Sequence, residues 1–260
     1  MPDWFLGTMG FGYKDWSRVF YPEGCRTSNY LSYYSRSFNS VELDTTFYGV
    51  PKSSKINKWM VSVPDGFLFC AKVPRQITHE KRLIGVQGEL TEFVDVMRML
   101  GNKLGILLIQ LPPGFTISEE KVLGEFLELL PDDLRFAVEF RHVSWERQKT
   151  QDLLRAFNIC WATTEYPGLT NQVKQTCDFI YVRWIGQHGT YDQHTHERVD
   201  KTSQLIWWKE QIQPHLDKVN TVYGFFNNDY AGYAVGSCIK FKKLLGFQVE
   251  TEKIIQGRLF

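Results

Sequence analysis

The sequence predicts an α/β fold, a single-domain (β/α)8 barrel of the TIM type with room for irregular units. Three observations lead there. Eight short apolar runs, at residues 5–8, 41–47, 67–73, 104–111, 136–141, 159–164, 179–184 and 222–227, recur along the chain of 260 residues. Segments of helical period separate most of them, the alternation that a parallel sheet requires, and eight such units close on themselves. No glycine-rich dinucleotide loop follows the first run, so a doubly wound open sheet is the weaker architecture.

The helical segments are 30–38, 89–100, 119–130, 148–157 and 203–216, and Pro131 and the Gly101-Asn102 pair punctuate two of them. No low-complexity linker or solenoid repeat divides the chain, so residues 1–250 read as one barrel and 251–260 as a C-terminal tail.

Composition narrows the function classes. Thirty lysines and arginines balance 29 aspartates and glutamates, which leaves no global basic field for nonspecific nucleic-acid binding. Five dispersed cysteines suggest neither a disulfide framework nor a zinc cluster. No run is long enough to span a bilayer, and the amino terminus enters a strand-like run at once; the expectation is a cytoplasmic protein without a membrane partner.

The run at 135–141 shows what the barrel must hold. Period two sends Phe136, Val138 and Phe140 to one face, and Ala137, Glu139 and Arg141 to the other. A carboxylate and a guanidinium at the end of a buried strand make a structural ion pair or line a polar site. His142, Ser144 and Trp145 follow, a titratable group, a hydroxyl and an aromatic wall.

The same parity puts Glu42 beside Asp44 at the end of the second run, and gives Lys72 with His79 beyond it at the third. Gln110 ends the fourth, Tyr181 and Arg183 share a face of the seventh, and Asn227, Asn228 and Asp229 end the eighth. In a barrel all of these gather at one mouth. Lys72, Arg141 and Arg183 would form an anion pocket suited to phosphate or carboxylate. Glu42, Glu139 and His79 are the proton-transfer candidates, and Tyr13, Trp16, Tyr48 and Trp145 the stacking walls. The competing reading for each is a satisfied interior ion pair.

Together these motifs resemble the DUF72 (YecE-like) family over nearly the whole chain. The resemblance rests on Gly7-Thr8, Tyr13-Lys14-Asp15-Trp16, Phe20-Tyr21-Pro22, Val41-Glu42, Thr46-Phe47-Tyr48 and the run Lys72 to His79. It continues through Gln110-Leu111-Pro112-Pro113, Val138 to His142 with Ser144-Trp145, Tyr181-Val182-Arg183, and Phe226 to Asp229 with Gly232-Tyr233-Ala234. It implies a TIM-type barrel and supplies no reaction. Departures matter: Met9 and Phe11 stand where relatives often show Ser and Trp, Gly49 where they often carry Arg, and Ile185 where a His commonly follows the arginine. Gly49 removes a cation and Ile185 a base or ligand, which weakens a metal role; His194-Thr195-His196 is the remaining metal candidate, and such loop histidines are usually solvated.

The last residues, with Gln256, Leu259 and Phe260, resemble the Gln-x-x-Leu-Phe peptide that docks on bacterial sliding clamps; a frayed or packed end is the alternative. Two function classes follow. One is an enzyme on a phosphorylated or other anionic substrate, specifically a phosphoester hydrolase acting on nucleotides or nucleic acid, with no cofactor motif and a divalent metal left open. The other is a non-catalytic module that binds nucleic acid or protein through the same mouth.

Overall fold

The computed structural model describes residues 2–166 and 168–249. Nine strand segments and seven α-helices alternate among them. The strands are β1 (Asp3–Thr8), β2 (Ser40–Leu43), β3 (Leu68–Lys72), β4 (Leu104–Gln110), β5 (Arg135–Glu139), β6 (Cys160–Trp161), β7 (Thr163–Glu165), β8 (Phe179–Trp184) and β9 (Thr221–Phe226). The helices are α1 (Tyr30–Tyr34), α2 (Ser53–Ser62), α3 (Gln87–Arg98), α4 (Glu120–Leu127), α5 (Gln148–Ala156), α6 (Thr202–Ile212) and α7 (Ala234–Leu244).

All ladders are parallel. They form a sheet in the order β1-β9-β8-β7 and a second in the order β2-β3-β4-β5-β6. The sheets meet at two seams, giving the eight strand positions of a TIM-type barrel. At the first, β6 and β7 are halves of one extended stretch: Ala137 pairs with Cys160 on one side, Thr163 with Val182 on the other, and the Ala162 amide donates to Val138 between them. At the second, Met9 bridges to Glu42 and the Gly10 amide donates to the Glu42 carbonyl at 2.8 Å.

Side chains complete this second seam where the backbone ladder lapses. The Asn39 carboxamide accepts from the Leu6 amide at 3.0 Å and donates to the Trp4 carbonyl at 2.7 Å. The Tyr34 hydroxyl accepts from the Thr8 amide at 2.8 Å and donates to the Ser40 carbonyl at 3.1 Å. Gly7 permits the approach, because a Cβ there would lie 1.9 Å from the Ser40 oxygen.

Two cores follow from the alternation along each strand. The large one lies between strands and helices and includes Val41, Phe69, Ile109, Val138, Val182 and Phe226. The smaller one fills the interior with Ile106, Leu108, Ala137, Phe179, Tyr181 and Tyr223, among others. Charged side chains begin where that apolar filling ends, at the carboxyl ends of the strands.

Several expected boundaries move. The apolar pattern extends the second run to residue 47, but β2 stops at Leu43 and Asp44–Tyr48 forms a 3₁₀ helix. The Thr46 hydroxyl hydrogen-bonds the Leu43 and Lys72 carbonyls, both at 2.7 Å, which turns the chain outward over β3. Helix α1 ends at Tyr34, short of the expected residue 38, and α3, α4, α5 and α6 end at Arg98, Leu127, Ala156 and Ile212. Helices α2 and α7 carry weak sequence signals. Only Ile56 and Trp59 of α2 are buried, and α7 contains Gly236 and Ser237, poor helix formers that allow close packing.

Candidate functional site

The inward ends of β2, β3, β5 and β8 bring Glu42, Lys72, Glu139 and Arg183 together. Glu42 and Glu139 are both completely buried, and Arg183 lies between them. Its Nη2 is 2.6 Å from Glu42 Oε1 and its Nε is 3.0 Å from Glu42 Oε2, while Nη1 donates to Glu139 Oε2. Tyr181 donates its hydroxyl to Glu42 Oε2 at 2.6 Å, and Met9 Sδ lies 3.5 Å from Arg183 Nη2. On the far side, Arg141 Nε donates to Glu139 Oε1, and its guanidinium carbon lies 4.2 Å from the centre of the Tyr166 ring.

The two carboxylates share one guanidinium but titrate differently. Burial raises Glu42 above the usual carboxylate range, outweighing Arg183, and nearby Asp44 adds to the rise. Burial pushes Glu139 the same way, but it faces two guanidiniums, Arg141 and Arg183, and is held below that range. Arg183 stays protonated despite burial because Glu139 and Glu42 flank it.

Lys72 has no comparable partner. Its Nζ sits 3.7 Å from the centre of the Phe47 ring, and no described carboxylate lies within ion-pair distance. Burial, with the Arg183 charge next, lowers its pKa to about 8. His79 packs edge-on against the same Phe47 ring, with centroids 5.0 Å apart, and its Nδ1 contacts Thr78 Oγ1 at 2.9 Å. Burial and the Lys72 charge, with Arg75, Arg141 and Arg82 contributing, lower His79 to about 4. At neutral pH it is an uncharged imidazole, a weak base and not poised as an acid.

Beside this cluster opens a cleft of about 250 Å³ lined by Phe11, Tyr13, Leu43, Asp44, Lys55 and Trp59, with neighbouring glycines. Asp44 borders both, its Oδ1 3.7 Å from Arg183 Nη2. Tyr13 donates its hydroxyl to the Met9 carbonyl at 2.6 Å; burial raises its pKa, helped by Asp44, Glu42 and Asp229. A cleft of similar size at the opposite end, lined in part by Trp4, Phe38, Asn39 and Phe247, is remote from these charges.

The remaining expected site residues fall into different roles. Trp16 and Trp145 are not stacking walls: both are completely buried. Trp16 Nε1 donates to Asn228 Oδ1 at 3.2 Å, and Trp145 stacks on Phe140 and Phe115 while its Nε1 donates to the Phe115 carbonyl at 2.8 Å. Their large apolar rings pack under the loops, leaving nothing for a ligand to stack on. Tyr48 is 82% exposed, its ring edge-on to Phe47. Gln110 points inward but donates to the Leu111 carbonyl at 2.6 Å, and His142 Nδ1 accepts from the Ser144 amide at 3.1 Å, capping a short turn. Asn227 accepts from the Asp229 amide at 2.9 Å, and Asn228 accepts from the Ala234 amide at 3.0 Å, so both brace the loop after β9.

Asp229 faces a second cluster, with the Gly189 amide at 3.2 Å from Oδ2 and His194 Nε2 at 3.7 Å from Oδ1. His194 is also tied to Asp15, whose Oδ2 lies 3.2 Å from the His194 amide and 3.3 Å from its Nδ1. Among the described residues no group of three or more His, Cys, Asp or Glu could hold a metal ion. Nor is any described helix long and apolar enough to cross a membrane. Gln256, Leu259 and Phe260 lie outside the described residues. Sequence parity indicates Glu42, Lys72, Glu139 and Arg183 but misses Phe47, Met9 and Tyr166, which reach the site from a turn, a strand extension and a loop.

Comparison with known proteins agrees with this architecture. Residues 5–257 match the DUF72 family, described as a protein of unknown function. The UPF0759 protein YecE of Escherichia coli K12 is 38% identical over 112 residues, covering 43% of this chain and 41% of YecE. YunF of Bacillus subtilis is 29% identical over 153 residues, covering 54% and 51%. The match thus spans about half, or less, of these curated relatives. A crystal structure of a DUF72 family protein from Thermotoga maritima superposes with a TM-score of 0.82 at 29% identity, over 94% of this chain and all of that one. One from Enterococcus faecalis gives 0.76 at 20% identity, over 95% and 99%. The chain belongs to the DUF72 family, whose function is unknown.

Proposed function

We propose that the barrel mouth binds a small anion bearing a phosphate or carboxylate, with Lys72 and Arg141 as its cationic contacts. The observation that carries this reading is the lone Lys72 ammonium. Glu42 and Glu139 are matched by Arg183 and Arg141, whereas Lys72 is half-buried with the Phe47 ring against its Nζ and no described carboxylate within ion-pair distance. Burying a charge without a counterion is costly, and a bound anion would remove that cost. The Arg141 Nη groups, which hydrogen-bond no described residue, supply a planar second contact. The cleft beside Asp44, with Tyr13, Phe11 and Trp59, offers room for the rest of such a ligand.

Phosphoester hydrolysis is the reaction this site would serve if it is catalytic, but its base would not be Glu139, whose two oxygens are both taken by guanidiniums. Glu42 is equally enclosed. His79 is the neighbouring titratable group that is unprotonated at neutral pH, and its lowered pKa makes it a weak base. The test is thermal stabilisation by phosphate, sugar phosphates, carboxylates, nucleotides and short oligonucleotides, in the wild type, Lys72→Met and Arg141→Gln. Binding to the folded state raises the melting temperature by mass action. A small anion that stabilises the wild type and neither variant supports the reading; stabilisation by oligonucleotides alone favours a nucleic-acid module; equal response in all three proteins rejects this mouth as the site.

A further inference from the structure

Lys72 is placed for more than electrostatic attraction. Its Nζ lies over the face of the Phe47 ring, the Arg183 guanidinium is the strongest positive influence on it, and His79 flanks the same ring. The charges of Asp44, Glu139 and Glu42 act on the amine, but none is close enough to form an ion pair with it. Desolvation beside a second cation is the environment that makes a lysine nucleophilic, because it disfavours the ammonium and frees the lone pair. With its pKa lowered to about 8, about a tenth of the side chain is free amine at pH 7.

We propose that Lys72 condenses with an aldehyde or ketone group of the bound anion to form an imine. This rests on the anion-binding reading and narrows the ligand to an oxo anion, a carbonyl compound that also carries a phosphate or carboxylate. Nζ attacks the carbonyl carbon, a C–N bond forms, and the C–O π pair moves to oxygen. The proton leaving nitrogen passes to that oxygen, with the neutral His79 imidazole as the nearby group able to relay it. The proton that the ammonium released on becoming the free amine returns to the hydroxyl, the C–O bond breaks, water departs with that electron pair, and the nitrogen lone pair completes the protonated imine. The balance is one carbonyl compound plus one lysine ammonium giving one protonated imine and one water. No oxidant or metal enters it. Arg141 holds the anionic end, and Phe47 keeps bulk water from one side of the new C=N bond.

The experiment is reductive trapping with the full chain. Wild type and Lys72→Arg are incubated with pyruvate or with dihydroxyacetone phosphate in the presence of cyanoborohydride, and each lysine is assayed by peptide mass mapping. Arginine keeps the cation and cannot form the imine. The expected result is an adduct on Lys72 at least tenfold above that on exposed Lys58, absent from the variant, with a yield that rises through about pH 8. An adduct on Lys72 no greater than on Lys58 overturns the proposal. Thermal shift with inorganic phosphate separates the two readings: stabilisation without trapping removes the imine alone, and neither stabilisation nor trapping removes both. Should Lys72→Arg not fold, the site-resolved pH dependence in the wild type decides, since an ordinary lysine gains reactivity only toward its usual range near 10.5.

Discussion

Arg183 and Glu42 meet as a bidentate pair inside the barrel, with Nη2 2.6 Å from Oε1 and Nε 3.0 Å from Oε2, although 141 positions separate them in the chain. The pair joins β8 to β2 across the interior, and Arg183 continues to Glu139 on β5. One guanidinium therefore ties strands from both sheets. Its donors are committed to Glu42 and Glu139, whereas Arg141 engages Glu139 through Nε and Lys72 pairs with no described carboxylate.

Replacing Arg183 with methionine leaves two enclosed carboxylates without their shared cation. The expected loss is about 3–5 kcal/mol of unfolding free energy, read from urea denaturation. Adding Glu42→Gln and Glu139→Gln to the same chain should restore part of it. A variant within about 1 kcal/mol of wild type would mean, by the same principle, that water replaces the guanidinium at low cost.

Lys72 makes stability depend on alkaline pH. Its folded pKa, about 8, lies below its ordinary value of 10.5. Between those values the unfolded chain binds more protons, so stability rises with pH across that window. Lys72→Met should be more stable than wild type at pH 7, by on the order of 2–3 kcal/mol, and the difference should shrink by pH 10. Parallel melting curves for the two proteins from pH 7 to 10 check both parts.

The two glutamates act oppositely in acid. Glu139 has a depressed folded pKa, so its contribution is present above the ordinary carboxylate range and is lost as pH falls through the folded value. Glu42 has a raised folded pKa, so its contribution is present at low pH and is lost as pH rises through that value. Glu139→Gln should therefore flatten the fall in stability between pH 6 and 3, and Glu42→Gln should steepen it. Matching profiles for the two variants would contradict this assignment.

Gly7→Ala tests the seam between β1 and β2. The added methyl would lie 1.9 Å from the Ser40 carbonyl oxygen and 2.7 Å from the Tyr34 hydroxyl, and backbone cannot yield as a flexible side chain can. A loss of about 3 kcal/mol is expected, with faster amide hydrogen exchange at Leu6 and Thr8, whose N–H groups depend on Asn39 and Tyr34.

Side-chain parity makes the barrel interior legible in the sequence. Val41 and Leu43 against Glu42, and Val182 against Arg183, are alternations that a strand buried on both faces must resolve by sending the charge inward. The aromatic residues are less legible. Trp16 and Trp145 have the size and the position of stacking walls, yet their indole N–H groups find acceptors within the protein at Asn228 and Phe115, and burying the rings there removes more apolar surface from water than a rim position would. Sequence spacing carries no record of which way a loop residue turns.

The α/β alternation, the family and the strand ends that carry charge can be read from the order of residues, because hydrophobic period and strand parity are local properties of the chain. The pairing of those charges is a property of the folded barrel. Whether a guanidinium faces a ligand or a carboxylate depends on which strand ends meet across the barrel, and Coulomb energy falls with distances of a few ångströms that the order of residues does not encode. Closure placed Arg183 between Glu42 and Glu139, and it left Lys72 over Phe47 with its nitrogen unpaired.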